Sequence, residues 1–543
     1  MNNLIEPYGG RLVDLLTTPE RAETLKQEAF GLPSLDLDWR QLCDLEMLMS
    51  GAHSPLTGYM TRAQCDKVEA SMQLDDGRFW PVPISLGSTQ KAAAALKVGD
   101  RVALRDGEGF MLAVLSVKDI WQDGDVTRLG GEIEGVALPP HPDFSALRAT
   151  PSELRAQLAR RGWRKVVAWQ ARQPMHRAQF EFCLRTAIAS EANLLLHPQA
   201  GGDITDAPGY FGLVRSFLVA RERFPTATTQ LALLPIPPRP VDARDLMLRA
   251  IVARNYGCTA LIVGGEYESS GDARRGSDLT PEHLQGLGAD LEASVGVQLI
   301  PYPRMVYVED RAEFLPEAEV PQGSRTQMLS GEEFRRRMNA GLKIPEWYSF
   351  PEVIAELHRT TPPRDRQGFT VFFTGLSGAG KSTIARALAA RLMEMGGRSV
   401  TLLDGDIVRR HLSSELGFSR AHRDINVRRI GFVASEITKN RGIAICAPIA
   451  PYRETRRAVR EMIEAVGGFI EIHVSTPIET CEARDRKGLY AKARAGLIPE
   501  FTGVSDPYEI PERPELAIDT TGLNVDEAIQ RILLKLEHEG YLR

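Results

Sequence analysis

A chain of 543 residues with a formal net charge of −5 and 25% charged residues is long enough for three or four domains, each with its own core. The mild, unblocked charge points to neither a nucleic-acid nor a membrane partner. The opening MNNLIEPYGG lacks a basic and apolar leader, and no apolar run approaches the roughly 20 residues of a spanning helix, so a cytoplasmic protein is expected. Cys43, Cys65, Cys183, Cys258, Cys446 and Cys481 form no CxxC pair and read as reduced core thiols.

Residues 1 to about 165 read as a β-rich domain of short strands, among them WPVPISL (80–86), VGDRVALRD (98–106) and GFMLAVLSV (109–117). From about 166 strands alternate with helices. VVAWQ (166–170) precedes a helix around HRAQFEFCLRTAIAS (176–190), then ANLLLHP, a helix around DARDLMLRAIVARNYG (242–257), and TALIVGG. That alternation predicts a parallel α/β sheet for 166–323. A polar, helical connecting region spans 324–366, within which TTPPRDRQG (360–368) reads as a linker that buries little. A second α/β alternation occupies 367–543.

Within WQARQPMHRAQF (169–180), an apolar strand runs into Gln170, Arg172, a proline and then His176 and Arg177 opening a helix. A nucleotide-handling fold places its phosphate grip at such a strand-to-helix turn.

The clearest motif is GLSGAGKST, with Gly375, Ser377, Gly378, Ala379, Gly380, Lys381, Ser382 and Thr383 between a β-rich run and an alanine-rich helix. This is the context of a P-loop. Its backbone N–H groups turn toward the phosphates of ATP, Lys381 reaches the outer phosphates, and the Ser382 hydroxyl holds the Mg²⁺ that accompanies ATP. The next strand ends in Asp404-Gly-Asp406, with Arg409 a helical turn on. One carboxylate can take a proton from an acceptor hydroxyl or organise Mg²⁺, while a helix N-cap would explain one aspartate but not both.

The blocks GLSGAGKST, LDGDIVRRHL, LGFS, RDINVRRIG, PIAPYRETR, CEARDRKGLYAKARAG and FTGVSDPYEIP together resemble adenylylsulfate (APS) kinase across 367–543. The resemblance implies catalytic roles for Lys381, Asp404 and Asp406. It also implies an APS site in which Arg409, Arg423 and Asn426 grip sulfate and phosphate, Phe418 and Phe501 sandwich the adenine, and Lys492 adds charge. Guanidinium forks suit tetrahedral oxyanions, and aromatic faces suit a purine. Ala450 stands where many relatives carry a serine, so a phosphoserine route is closed. A gluconate- or shikimate-type kinase would share the P-loop but not the last two blocks.

Residues 1–360 resemble ATP sulfurylase through LIEPYGGRLVDLL, LCDLEMLMSGAHSPLTGYM, NYGCT and SGEEFRRRMNAGLKIPEWYSFPEV. The implied architecture is an amino-terminal mixed β-rich, PUA-like domain, a Rossmann-like nucleotidylyltransferase α/β domain, and then the P-loop kinase α/β domain. The catalytic blocks depart from the family. Where relatives read Q-x-R-N-P-x-H-R-A-H, this chain keeps Gln170, Arg172, Pro174 and His176 but has Gln173 for the asparagine and Gln179 for the second histidine. The G-R-D-H-A-G loop is replaced by Gly264-Gly265-Glu266-Tyr267-Glu268-Ser269. M-R-x-A-G-P-R-E is replaced by PPRPVDARD, with Arg239 and Arg244 kept, and the lysine-bearing segment after HP is AGGDITDAPGY. Gln179 can never carry charge, and Glu268 would oppose sulfate and triphosphate.

The expected protein is a homo-oligomeric APS kinase whose sulfurylase-like half has impaired chemistry and serves as a scaffold. The alternative is a bifunctional enzyme that makes PAPS from sulfate, or that makes ATP from APS and pyrophosphate.

Overall fold

The polypeptide divides into two compact units, Met1–Arg337 with Lys343–Thr361, and Met338–Leu342 with Pro362–Arg543. The computed structural model describes residues 4–201, 207–240, 242–264, 291–485 and 488–543.

The first sheet of the amino-terminal unit is mixed. It comprises β1 (Ser34–Asp36), β2 (Gly58–Tyr59), β3 (Leu86–Thr89), β4 (Arg101–Arg105), β5 (Met111–Asp123) and β6 (Val126–Gly135). The strands follow the order β1-β4-β5-β6-β2, with β3 also on β6. β5 and β6 form a hairpin whose turn passes through Gly124 at φ +58°, a conformation glycine adopts without strain. WPVPISL is not a strand: regular pairing begins only at Leu86. Pro81 and Pro83 lack the N–H that a ladder requires.

The second sheet is wholly parallel, with β7 (Val166–Trp169), β8 (Asn193–Leu196), β9 (Thr229–Leu231), β10 (Ala260–Val263) and β11 (Gln298–Pro301) in the order β11-β10-β7-β8-β9. β7 and β10 are buried along their whole length, as strands covered on both faces must be. The strand order reverses direction at β7, so a crevice opens beyond its carboxyl end, where ligands bind in open α/β sheets. WQARQPMHRAQF leaves β7 at that point. A small antiparallel sheet of β12 (Met305–Val308), β13 (Glu313–Pro316) and β14 (Thr326–Gln327) follows.

The carboxy-terminal unit holds a second parallel sheet of β15 (Phe369–Thr374), β16 (Val400–Asp404), β17 (Ile443–Ala447), β18 (Gly468–Val474) and β19 (Leu516–Ile518), in the order β16-β17-β15-β18-β19. Here β15 is central and buried throughout, and the P-loop leaves its carboxyl end. TTPPRDRQG is more than a spacer. Pro363 and Gly368 are buried, Asp365 pairs with Arg543 at 2.6 Å, and Arg364 donates to the Glu539 carbonyl at 2.8 Å.

Candidate active site

The P-loop backbone is shaped by glycines. Gly375, Gly378 and Gly380 have φ of +149°, +74° and +105°, and a Cβ at Gly378 would stand 2.9 Å from the Cys481 carbonyl oxygen. Lys381 opens the helix Lys381–Met395 with Ser382 half-buried and Thr383 exposed behind it. The Lys381 ammonium is buried and donates to the carbonyls of Gly375 at 2.9 Å and Leu376 at 2.7 Å. Burial pushes it down to about 8, partly offset by Cys481 and Asp404. Three side chains pin the loop from behind. Thr476 and Thr520 donate to the Ala379 carbonyl at 3.1 and 3.0 Å, and Tyr490 donates to the Ser377 carbonyl at 2.9 Å.

Asp404 ends β16 opposite Ala447, buried, with Arg386 at 3.3 Å. Gly405–His411 continues as a helix; the side chain of Asp406 lies outside the described residues. Arg409 donates to the carbonyls of Leu416 at 3.3 Å and Gly417 at 3.0 Å, and its guanidinium lies 4.5 Å over the Phe418 ring. Phe418 is 69% exposed. Phe501 packs edge-on against Tyr490 with ring centroids 5.1 Å apart. The carboxylate of Glu500 accepts from the Arg420 backbone N–H at 3.1 Å, so the segments carrying the two phenylalanines are fastened together. Lys492 is exposed on the helix Leu489–Arg494, whose Tyr490 reaches the P-loop.

Arg423 and Asn426 lie on the buried side of the helix Arg420–Lys439. Arg423 is only 8% exposed; it donates to Thr502 Oγ1 at 2.5 Å and stands 3.1 Å from Asp506 Oδ2. Among the described residues its Nε and Nη2, and Asn426 Oδ1, have no hydrogen-bond partner. Buried polar atoms left unpaired are rare, and a buried guanidinium with a spare donor is suited to an oxyanion. A continuous chain connects this arginine to the P-loop. Tyr452 donates to Asp506 at 2.9 Å, the Ala450 carbonyl accepts from Thr374 at 3.1 Å, and Thr374 ends the strand from which the P-loop springs.

In the amino-terminal unit the residues after β7 are tied up internally. Arg172 donates to Gln199 at 2.8 Å and to the Arg239 carbonyl at 2.9 Å, and it pairs with Asp245 at 3.1 Å. Arg239 pairs with Asp44 at 2.6 Å. Gln170 is buried with no partner for its Oε1 among the described residues, and Gln173 is half-buried. His176 is the N-cap residue of the helix Arg177–Ala189, packed against Phe334 and Tyr348 with Nδ1 2.9 Å from Ser349 Oγ. Burial pushes its imidazole down to about 4, so the ring is neutral. Gln179 accepts from the His176 backbone N–H at 3.1 Å. It thus satisfies one of the helix's orphan amides from the N3 position. The GEYES loop beyond Gly264, and part of AGGDITDAPGY, lie outside the described residues.

Three family models match in succession: a PUA-like domain at 5–149, ATP-sulfurylase at 145–360 and adenylylsulphate kinase at 367–519. The chain is 42% identical to a sulfate adenylyltransferase of Emericella nidulans, covering 98% of this chain and 99% of that one. The chain belongs to the sulfate adenylyltransferase family. A second such member, from Phaeosphaeria nodorum, is 41% identical over 99% of both chains. Among solved structures, a hexameric APS kinase from Thiobacillus denitrificans is 68% identical with a TM-score of 0.88, covering 99% of this chain and 100% of that one. The fold is a PUA-like domain, a sulfurylase domain and a P-loop APS kinase domain in that order.

Several residues that build the kinase site carry no motif of their own. Thr476 and Thr520 pin the P-loop from positions 97 and 141 residues away from Ala379. Asp506, Thr502 and Glu500 lie in or beside FTGVSDPYEIP, where the only residue the sequence singles out is Phe501. Among the described residues, no helix is long and apolar enough to cross a membrane.

Proposed function

We propose that the carboxy-terminal unit transfers the γ-phosphoryl group of ATP to the ribose 3′-hydroxyl of APS, releasing ADP and PAPS. The observation that carries this is Arg423, a buried cation with an uncommitted Nε–H, on the same helix face as Asn426 and linked through Asp506, Tyr452 and Ala450 to the P-loop. ATP phosphates occupy the loop from Gly375 to Thr383, and Lys381 exchanges its two carbonyl partners for phosphate oxygens. Arg409, Arg423, Asn426 and Lys492 hold the sulfate and phosphate of APS, with its adenine between Phe418 and Phe501. A strand-end carboxylate, Asp404 or Asp406, takes the proton from the attacking hydroxyl. The Ser382 hydroxyl and the Asp404 carboxylate are hard oxygen donors that fit Mg²⁺. When bound with ATP, that ion supplies charge neutralisation to the transferring phosphoryl group.

The amino-terminal half we read as a sulfurylase fold with impaired chemistry, acting as a scaffold. Arg172 and Arg239 are already neutralised by Asp245 and Asp44. His176 is neutral, and Gln179 serves its helix rather than a developing charge. A bifunctional enzyme is the second reading, favoured by the name sulfate adenylyltransferase that the relatives carry. We divide the chain functionally at 1–165, 166–323, 324–366 and 367–543. The hexameric relative supports a homo-oligomer. ATP and APS are the partners, nucleic acid and membrane are not, and the cytoplasm is the compartment.

The test is Lys381→Ala, which silences the kinase, supplied with APS, pyrophosphate and Mg²⁺ while ATP is followed by luciferase. The wild-type protein is assayed alongside for APS-dependent ADP release. Robust ATP formation overturns the scaffold reading, and absence of APS-dependent ADP release overturns the kinase reading.

A further inference from the structure

Asp506 raises a question of charge. Its side chain is only 10% exposed and points at Arg423, in the pocket read above as the receptor of a sulfate and a phosphate. A carboxylate near two oxyanions opposes their binding, so its position calls for a compensating function. Its partners identify one. Oδ2 lies 3.1 Å from Arg423 NH2 and accepts from the Tyr452 hydroxyl at 2.9 Å. The burial of Tyr452, and that hydrogen bond, hold its phenol up at about 12, so it stays a donor. The opposite nitrogen of the guanidinium, NH1, is fixed by Thr502 at 2.5 Å, and the ring of Tyr452 lies 5.6 Å from the guanidinium carbon. Arg423 is therefore held by a hydrogen bond at Nη1 and an ion pair at Nη2, while Nε and Nη2 have no hydrogen-bond partner among the described residues.

The same aspartate closes the loop that carries Phe501. Its backbone N–H donates to the Phe501 carbonyl at 3.1 Å, and its carbonyl accepts from Gly503 at 2.7 Å. The Ser505 hydroxyl accepts from the Phe501 N–H at 2.8 Å. One residue thus ties the oxyanion-gripping arginine to the turn that sets the aromatic ring.

We infer that Asp506 is a positioning residue for APS, coupling the orientation of Arg423 to that of Phe501 so that the anion and base ends of the substrate are presented at a fixed separation. This rests on the reading of Arg423 as an APS ligand. A free arginine side chain samples many rotamers that binding would have to freeze; an ion pair formed before the substrate arrives removes that cost from the binding step.

The experiment compares Asp506→Asn, Arg423→Ala and the double variant in the full chain, with APS and ATP varied separately. Misplacement by about 1 Å can cost on the order of 100-fold, so Asp506→Asn is expected to raise KM for APS by about tenfold or more. KM for ATP should stay within about twofold, a change too small for a disturbed P-loop. In the Arg423→Ala background the same substitution should add nothing, because a residue acting through another has no effect once that other is gone. Equal changes in both KM values, or an undiminished effect in the Arg423→Ala background, overturn the inference and leave Asp506 a structural ion pair. If Arg423→Ala alone leaves KM for APS unchanged, the substrate-site reading falls, and the inference with it. Should Asp506→Asn fail to fold, Tyr452→Phe decides. It removes the phenol's hydrogen bond to that oxygen and leaves the ion pair, and a several-fold rise in KM for APS alone supports the coupling, whereas no change overturns it.

Discussion

Arg172 and Asp245 meet at 3.1 Å beyond the carboxyl end of β7, and the same carboxylate lies 3.3 Å from the fully buried Arg249. One aspartate therefore serves two guanidinium groups beyond the carboxyl end of β7. Removing one partner of a buried pair leaves an uncompensated charge, which costs about 3–5 kcal/mol. Asp245→Asn is expected to destabilise the amino-terminal unit by about 3 kcal/mol, measured by urea unfolding at pH 7. A loss below about 1 kcal/mol, the value of an exposed pair, would mean that Asp245 does not anchor the two arginines.

Burial among carbonyls in the P-loop holds Lys381 near 8, well below an ordinary lysine. Triphosphate in its place restores the preference for the charged form. Between pH 8 and about 10, ATP binding must therefore take up a proton, and affinity should weaken as pH rises through that window. At pH 8.5 the uptake should be roughly three-quarters of a proton. Titration calorimetry in two buffers of different ionisation enthalpy reads it directly. The uptake should vanish in Lys381→Arg, whose guanidinium stays charged. Equal binding enthalpies for wild-type protein in the two buffers would show that Lys381 is already fully charged.

What the sequence made legible was local. The P-loop is a contiguous pattern whose glycines, lysine and serine each have a backbone or phosphate reason, so its placement after β15 followed from nine residues. The alternation predicted a parallel sheet with WQARQPMHRAQF at a strand-to-helix turn; that the strand order reverses there emerges only from the fold. What escaped notice depends on distant pairing. Thr476, Thr520 and Asp506 are ordinary residues in sequence, and only folding brings them to Ala379 and Arg423. Gln179 is a different lesson. Its spacing of three from His176 is that of an N-cap and its N3 partner, visible in sequence, yet comparison with the family drew attention to the histidine it replaces. In WPVPISL, hydrophobicity suggested a strand that two prolines prevent.

Three histidines of the amino-terminal unit make it sensitive to acid. Burial holds His53 and His197 down to about 3 and His176 to about 4, against about 6.5 in an unfolded chain. As pH falls below 6.5, the unfolded state binds protons that the folded state refuses. Each histidine then removes about 1.4 kcal/mol per pH unit. The loss for His176 stops near pH 4, and for the other two near pH 3. Between pH 6 and 5 the three together should cost about 3–4 kcal/mol, seen by urea unfolding of this unit at the two pH values. His176→Gln should reduce that slope by about one-third. A stability that is flat across this interval would show that the rings are solvated enough to protonate in the folded state.

Phe418 separates binding from folding. Its ring is exposed, touching Arg409 across a 4.5 Å cation–π contact, so truncation removes little buried surface. Phe418→Ala is expected to change stability by less than about 0.5 kcal/mol. If the ring stacks on the adenine of APS, its loss costs about 1–3 kcal/mol of binding, the usual value of a base on an aromatic side chain. KM for APS should then rise by about 5- to 150-fold while KM for ATP stays put. The initial-rate assay with APS varied at saturating ATP gives the number, and a thermal melt of the same sample supplies the control. An unchanged KM for APS beside an unchanged melting temperature would mean that the ring contacts only Arg409 and that adenine is held elsewhere.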